Sequence, residues 1–352
     1  MTSRYGATAE EIDRLLASMG EPAYRSRQLR EGLLAQRRPL DELTNLPRRL
    51  RAGLAEALPL ALDLRIEQRS DRDTTVKWLW QTHDDAQVET VLMRYRDRAT
   101  VCVSSQAGCA MACTFCATGQ AGFERHLSSG EIVEQVVRAQ HNSPQRVSNV
   151  VFMGMGEPLA NVDAVLDACR TLQSDVGLSA RHLTISTVGV VPGMQRLIEF
   201  ELPVTLAVSL HAADDALREQ LVPLNRRYPI ATVVDAAREY AARKGRRVTF
   251  EYACIRTVND LPHQADALAG RLAGFRGGAH VNLIPLNATS GFPGEPSDRA
   301  RIELFADRLR AAGIQASIRR NRGADIDAAC GQLRARAQLR TGRARGSATM
   351  EP

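Results

Sequence analysis

The stretch Cys102-Val-Ser-Ser-Gln-Ala-Gly-Cys109-Ala-Met-Ala-Cys113-Thr-Phe-Cys116 holds four of the chain's seven cysteines in fifteen residues. Three of them, Cys109, Cys113 and Cys116, are spaced C-x3-C-x2-C. Soft thiolates suit iron–sulfur clusters or zinc. A cubane cluster has four irons, so three local cysteines leave one iron open, as a catalytic zinc keeps an open position. An open iron can hold a substrate. A structural zinc or closed cluster would want a fourth Cys or His close by, and His126 is the near candidate.

Outward from this stretch, the pattern from residue 99 onward is strand, loop, helix, repeated. Strands are expected at 100–104, 147–153, 182–187, 204–209, 248–255 and 280–284, with a seventh at 315–319 after a helix around 298–312. Ser128-x-x-Glu131 forms a capping box ahead of Ile132, Val133, Val136 and Val137, and Asn161 is expected to cap the helix striped by Val162, Val165, Leu166, Cys169 and Leu172. Six strands with intervening helices predict an α/β fold, a partial parallel (β/α)6-type barrel. Chemistry in such barrels sits at the C-terminal strand ends. Those ends carry the cysteine loop, Gly154-Met-Gly-Glu-Pro158, Ser186-Thr187, Ser209-Leu-His211 and Pro285-Leu-Asn287. Glycine lets backbone approach a ligand closely, and Glu157 can accept from an ammonium group.

Before the barrel, residues 7–57 read as helical, with Ile12, Leu15, Leu16 and Met19 at helical spacing and a second helix at 25–36. Arg25, Arg27, Arg30, Arg37, Arg38, Arg48, Arg49 and Arg51 suit either a solvated face or an RNA-contacting one. Alternating segments 64–68, 75–81 and 88–95 predict a small antiparallel sheet. The expected division is a helical module (1–60), an antiparallel extension (61–98), the barrel (99–321), a cysteine loop (322–335) and a disordered basic tail (336–352). Arg334, Arg336, Arg340, Arg343 and Arg345 mark the approach to that tail and the tail itself.

With 352 residues, 44% apolar and 24% charged, the composition is that of a soluble protein. An odd cysteine count argues against a secreted disulfide framework. No apolar run reaches membrane-spanning length and no signal pattern opens the chain, so the cytoplasm is expected. A net charge of +6 is compatible with a polyanionic partner. Cys169 and Cys254 lie on apolar stripes and read as core residues. Cys102 and Cys330 remain, the latter in Arg322-Gly-Ala-Asp-Ile-Asp-Ala-Ala-Cys330-Gly-Gln-Leu. A thiol in a polar, Gly-rich loop can move and act as a nucleophile.

The cysteine spacing, with Phe115 before the last cysteine, resembles the radical S-adenosylmethionine (SAM) enzymes. Further stretches bring the chain close to one family: Val88-Glu-Thr-Val91, Cys102 through Cys109, Phe152-Met-Gly-Met-Gly-Glu-Pro158, Ser209-Leu-His211, Leu221-Val-Pro223, Asn282-Leu-Ile-Pro285 and Asp325-Ile-Asp-Ala-Ala-Cys-Gly-Gln332. Over about residues 20–333 it resembles the RlmN family of dual-specificity RNA adenine-carbon-2 methyltransferases. The resemblance implies one [4Fe-4S] cluster on Cys109, Cys113 and Cys116, and two SAM molecules per turnover. It implies SAM contacts at Gly156, Glu157, Ser186, Ser209, Leu210, His211 and Asn287. Cys330 would carry the methyl group, Cys102 would resolve a covalent protein–RNA adduct, and Glu89 would accept a proton. Implied partners are rRNA and tRNA, an electron donor such as flavodoxin or ferredoxin, and a disulfide reductant, with the protein a monomer and no membrane involved. An adenine-carbon-8 methyltransferase of the Cfr type shares the cysteine set. A non-catalytic RNA-binding protein with a structural metal is the alternative of another class.

Overall fold

The computed structural model describes residues 3–70, 72–275, 278–319 and 322–333; the expected basic tail and Arg334 lie outside them. Helices α1 (Ala9–Ser18), α2 (Tyr24–Arg30) and α3 (Arg48–Ala57) come first. Three strands follow, β1 (Leu62–Ser70), β2 (Thr75–Thr82) and β3 (Gln87–Arg94), then β4 (Ala99–Cys102). The cysteine loop lies between β5 (Gln106–Gly108) and β6 (Phe123–His126), with α4 (Ala117–Ala121) inside it. Beyond come α5 (Ser129–His141), β7 (Val147–Phe152), α6 (Val162–Ser174), β8 (Leu183–Thr187), α7 (Val191–Glu199) and β9 (Thr205–Ser209). The chain continues through α8 (Asp215–Leu221), α9 (Ile230–Lys244), β10 (Val248–Cys254), α10 (Pro262–Leu272), β11 (Ala279–Pro285), α11 (Arg299–Ala311) and β12 (Gln315–Ile318).

Ten strands form one sheet in the order β1-β2-β3-β4-β7-β8-β9-β10-β11-β12. From β4 to β12 every pairing is parallel. The predicted small antiparallel sheet is not separate: β3 pairs with β4, so β1–β3 form an arm of the main sheet. The β5–β6 hairpin, a second small sheet, escaped the periodicity because its strands have only three and four residues.

Strand β8 shows how the sequence sets the two faces. Leu183 and Ile185 are fully buried in the apolar core, while Thr184 and Ser186 alternate with them and are only partly buried. Apolar side chains thus face the helices and polar ones face inward, the arrangement of a barrel that encloses a ligand site. The core is continuous, since Tyr5, Ile12, Leu29 and Leu54 of the N-terminal module join Trp78, Val101 and Phe250 in one cluster. At the closest approach Gly6 meets Gly130, where an added Cβ on Gly130 would lie 2.6 Å from the Gly6 Cα.

The capping box of α5 is present: Ser128 accepts from the Glu131 N–H at 3.2 Å, and Glu131 accepts from the Ser128 N–H at 2.7 Å. It contributes about 1 kcal/mol to the helix start. Asn161 precedes α6 but makes no cap bond. Its side-chain amide donates instead to the carbonyls of Ser105 (2.9 Å) and Leu127 (2.7 Å), fixing the base of the cysteine loop.

Candidate active site

The cysteine loop is held by its backbone. The Cys109 N–H donates to the Gly122 carbonyl at 2.7 Å, and the Thr114 N–H to Leu221 at 3.0 Å. Gly108 adopts φ +71°, and a Cβ there would lie 2.0 Å from the Gly122 oxygen, so this crossing requires glycine. Cys113 and Cys116 line the cavity at the C-terminal ends of the parallel strands. Cys109 does not line it but lies within electrostatic reach of Cys116 and Glu157. Burial pushes the Cys109 thiol up to about 12 and Cys113 well above its ordinary value. Such thiols lose their protons when a metal binds them.

Among the described residues no three His, Cys, Asp or Glu side chains gather as they would around a single ion. A four-iron cube takes each thiolate on a different iron, and three cysteines on one loop, two of them at the cavity edge, fit that requirement. His126 is engaged elsewhere: its Nδ1 lies 3.0 Å from the Gln106 amide nitrogen.

The predicted cofactor residues Gly156, Glu157, Ser186, Ser209, His211 and Asn287 all line this cavity. Gly156 has φ +98°, and a Cβ there would meet Gln106 at 2.6 Å. Glu157 is buried and accepts from the N–H groups of Leu159 (2.9 Å) and Val188 (2.8 Å). Burial nevertheless raises its carboxyl to about 7. A carboxylate has about four acceptor sites, so Glu157 can still take a proton-bearing group from the cavity. Ser186 and Ser209 lie 3.4 Å apart through their hydroxyls.

His211 sits in the left-handed region at φ +62°. Its Nδ1 accepts from the Ala253 N–H at 3.0 Å, which places the ring proton on Nε2. Burial and Arg218 lower its pKa to about 3, so the ring is a neutral donor. Phe115 packs edge-on against it at 4.8 Å. Leu210 does not line the cavity. Its side chain is in the core, its N–H donates to Glu251 (3.0 Å) and its carbonyl accepts from Arg218 (3.1 Å).

A second cavity adjoins the first. It is lined by Cys102, Val91, Met93 and Arg322 among others, and Cys330 lines both cavities, as do Arg319 and Leu333. Burial raises the Cys102 thiol to about 12, with Cys330 a further cause. The carbonyl of Cys330 accepts from the Asn287 amide at 2.9 Å. Glu89 lines neither cavity. It lies on the same face of β3 as Val91, the residue paired with Cys102, and forms a buried ion pair with Lys77 at 3.1 Å.

Three buried polar residues of the site region escaped the sequence reading. Gln135 joins the Ser104 backbone (N–H 2.9 Å, C=O 3.0 Å) to Thr90 (2.8 Å). Arg218 ties Val188 (2.6 Å) to Leu210 and Asn225 (2.9 Å). Lys77 was the third. Each sits in an ordinary helical or strand pattern, and its partners are distant in sequence.

Residues 103–267 match the radical SAM superfamily. The chain is 50% identical to a probable dual-specificity RNA methyltransferase RlmN from Parafrankia sp., over 94% of this chain and 91% of that protein. It is 48% identical to the protein of the same description from Symbiobacterium thermophilum, over 95% and 91%. A crystal structure of a radical SAM methyltransferase from Sphaerobacter thermophilus superposes with a TM-score of 0.91 at 47% identity, covering 96% of this chain and all of that one. With this cysteine loop, cavity rim and likeness over nearly its whole length, the chain belongs to the RlmN family of radical SAM RNA methyltransferases.

Proposed function

We propose that the protein methylates carbon 2 of adenosine in large-subunit rRNA and in tRNA, through a methyl group carried on Cys330. The observation that carries this reading is the place of Cys330 on both cavities, one shared with Cys113, Cys116 and Glu157 and the other with Cys102. Cys109, Cys113 and Cys116 would hold one [4Fe-4S] cluster. Glu157 would take the amino group of SAM, with Gly156, Ser186, Ser209, His211 and Asn287 around the rest. Leu210, pinned by Arg218, would set the height of its neighbours. When bound, cluster and SAM supply a carbon-centred radical able to remove a hydrogen atom from an unactivated C–H bond.

Carbon 2 is electrophilic, so a polar methyl transfer fails there, and the chain's own residues must carry the carbon. Cys330 accepts a methyl group from one SAM. After hydrogen removal by means of a second, its methylene carbon joins the adenine ring. Glu89 accepts the ring proton, and the unpaired electron left by the addition passes back to the electron carrier. The Cys102 sulfur then bonds to the Cys330 sulfur as the bond from Cys330 sulfur to methylene breaks, its electron pair taking a proton at the carbon, and the methylated base is released. The resulting disulfide takes two electrons from a reductant before the next turnover. The target base leaves its stack to reach the cavity, which favours unpaired nucleotides. The protein would act as a cytoplasmic monomer, with flavodoxin or ferredoxin as electron donor; among the described residues no helix is long and apolar enough to cross a membrane. The helical module, the arm, the barrel and the Cys330 segment would be its working parts, the first of them gripping RNA.

The test is a denaturing gel of Cys102→Ala and Cys330→Ala purified from RNA-containing cells. Cys102→Ala should show a nuclease-sensitive, slow-migrating band and Cys330→Ala none. If both folded, cluster-loaded variants still methylated RNA, the two-cysteine reading would be wrong. Mass spectrometry of digested RNA from a deletion strain should show loss of 2-methyladenosine; loss of 8-methyladenosine alone would move the reaction to carbon 8.

A further inference from the structure

The segment 322–333, which carries Cys330, is fastened in two halves. Residues 330–333 are tied to the barrel mouth and cysteine loop by Asn287, by the Ala117 N–H to the Gly331 carbonyl (2.7 Å) and by Thr118 to the Leu333 carbonyl (2.7 Å). Residues 322–327 are tied to the antiparallel arm. Arg322 donates to the Arg94 carbonyl at 3.0 Å, Ser70 donates to Asp325, and Lys77 donates to the Asp327 carbonyl at 3.2 Å.

Lys77 differs from the other ties. Its side chain is only 8% exposed, and its ammonium lies 3.1 Å from Glu89 as well. Lys77 pairs with Val91 across β2 and β3, so Lys77, Glu89 and Val91 share the sheet face that carries the Cys102 cavity. A buried ammonium is costly unless paired, and this one takes partners from both sides of the seam. Asp327 stands three residues before Cys330, in the left-handed region at φ +52°.

We propose that Lys77 is a positioning residue for the second half of the reaction, holding the Glu89 carboxylate and the Cys330 segment in one fixed relation. The inference rests on the roles proposed above for Glu89, Cys102 and Cys330. In the step concerned the ring C–H bond breaks, its proton going to a Glu89 oxygen and its electron pair staying with the ring, while the unpaired electron of the adduct passes back to the flavodoxin- or ferredoxin-type electron carrier. Removing the ammonium leaves a buried carboxylate without this counter-charge and the Asp327 carbonyl without this donor. The acceptor and the sulfur then lose their register. Methyl loading of Cys330 and adduct formation precede that step and continue, so the covalent adduct accumulates.

The experiment uses full-length Lys77→Met, which keeps the apolar stem, and Lys77→Gln, which keeps a donor without charge. Both are purified anaerobically from RNA-containing cells beside wild type and Cys102→Ala. Iron content and SAM cleavage are expected at wild-type levels, and the Cys330 not joined to RNA should carry its methyl as in wild type, read by peptide mass spectrometry. The nuclease-sensitive band should exceed wild type at least tenfold in Lys77→Met and fall between the two in Lys77→Gln. Lys77→Met resolving its RNA as wild type does, while Cys102→Ala traps it, overturns this inference and leaves the two-cysteine reading standing. If Cys102→Ala traps nothing, both fall together. Should Lys77→Met fail to fold, Lys77→Gln decides: a band supports the role of the charge, and its absence overturns it.

Discussion

Gly156 is the residue at which backbone conformation and the cavity proposed to hold SAM meet. Its φ of +98° is strained for any side chain, and Gln106 occupies the space a methyl would need. Gly156→Ala should lose about 1–3 kcal/mol of site geometry, read as a roughly 5- to 150-fold weaker SAM affinity with iron content intact. His211 makes a pH prediction. Its folded pKa is about 3 against about 6.5 in the unfolded chain. Below pH 6.5 the unfolded chain binds a proton that the native ring refuses, so stability falls as the pH drops from 6.5 toward 3 and is unaffected above that window. At pH 5 the loss relative to pH 7.5 is about 2 kcal/mol. Glu157, whose raised carboxyl acts in the opposite sense over the same range, is common to both proteins, so anaerobic urea unfolding at the two pH values should show that increment in the difference between wild type and His211→Asn, a residue that also tolerates the left-handed backbone.

At the scale of elements, the N-terminal helices divide their arginines between paired and exposed positions. Arg30 is paired with Asp175 at 2.9 Å and Arg37 donates to the Val176 carbonyl at 2.7 Å, so both anchor the module to the end of α6. Arg27, Arg48 and Arg49 are exposed. Replacing these three with Gln should weaken RNA binding and flatten its log–log salt dependence by about two to three, with SAM cleavage unchanged. Filter binding across a salt series checks this, and an unchanged slope would make them a solvated face. Net charge alone could not separate the two groups, because the partners of Arg30 and Arg37 lie far along the chain. The strand ends were legible for the opposite reason. Period-two alternation such as Leu183, Ile185 against Thr184, Ser186 is local, and so is the cysteine spacing. Lys77, Gln135 and Arg218 were illegible because a buried polar residue is defined by partners that only the fold supplies. Asn161 shows the limit within one residue: its position before a helix was readable, but the two carbonyls that claim its side chain were not.

For the molecule as a whole, the junction at Glu134 binds the module, arm and barrel into one body. This fully buried carboxylate accepts from the N–H groups of Ala61 (2.8 Å) and Leu62 (3.2 Å) and meets Arg138 at 3.2 Å, whose guanidinium lies 4.3 Å above Trp80. Glu134→Leu strands those donors and should cost about 3–5 kcal/mol. Both tryptophans of the chain stand on β2 beside the junction. Their fluorescence and the circular dichroism should therefore report one shared transition in wild type and in the variant, shifted to lower denaturant in the latter.

The position of Cys330 along the chain also sets an order of manufacture. The cysteine loop leaves the ribosome long before residues 322–333, and until those arrive the two cavities lack Cys330 and Leu333 from the wall they share. A polypeptide cut short before Cys330 would carry every proposed cluster ligand and most of the cofactor rim, yet no sulfur to receive the methyl group. On the reading proposed above, such a fragment could make a radical with nowhere to spend it, so a segment synthesised late is also the one that makes the earlier ones safe.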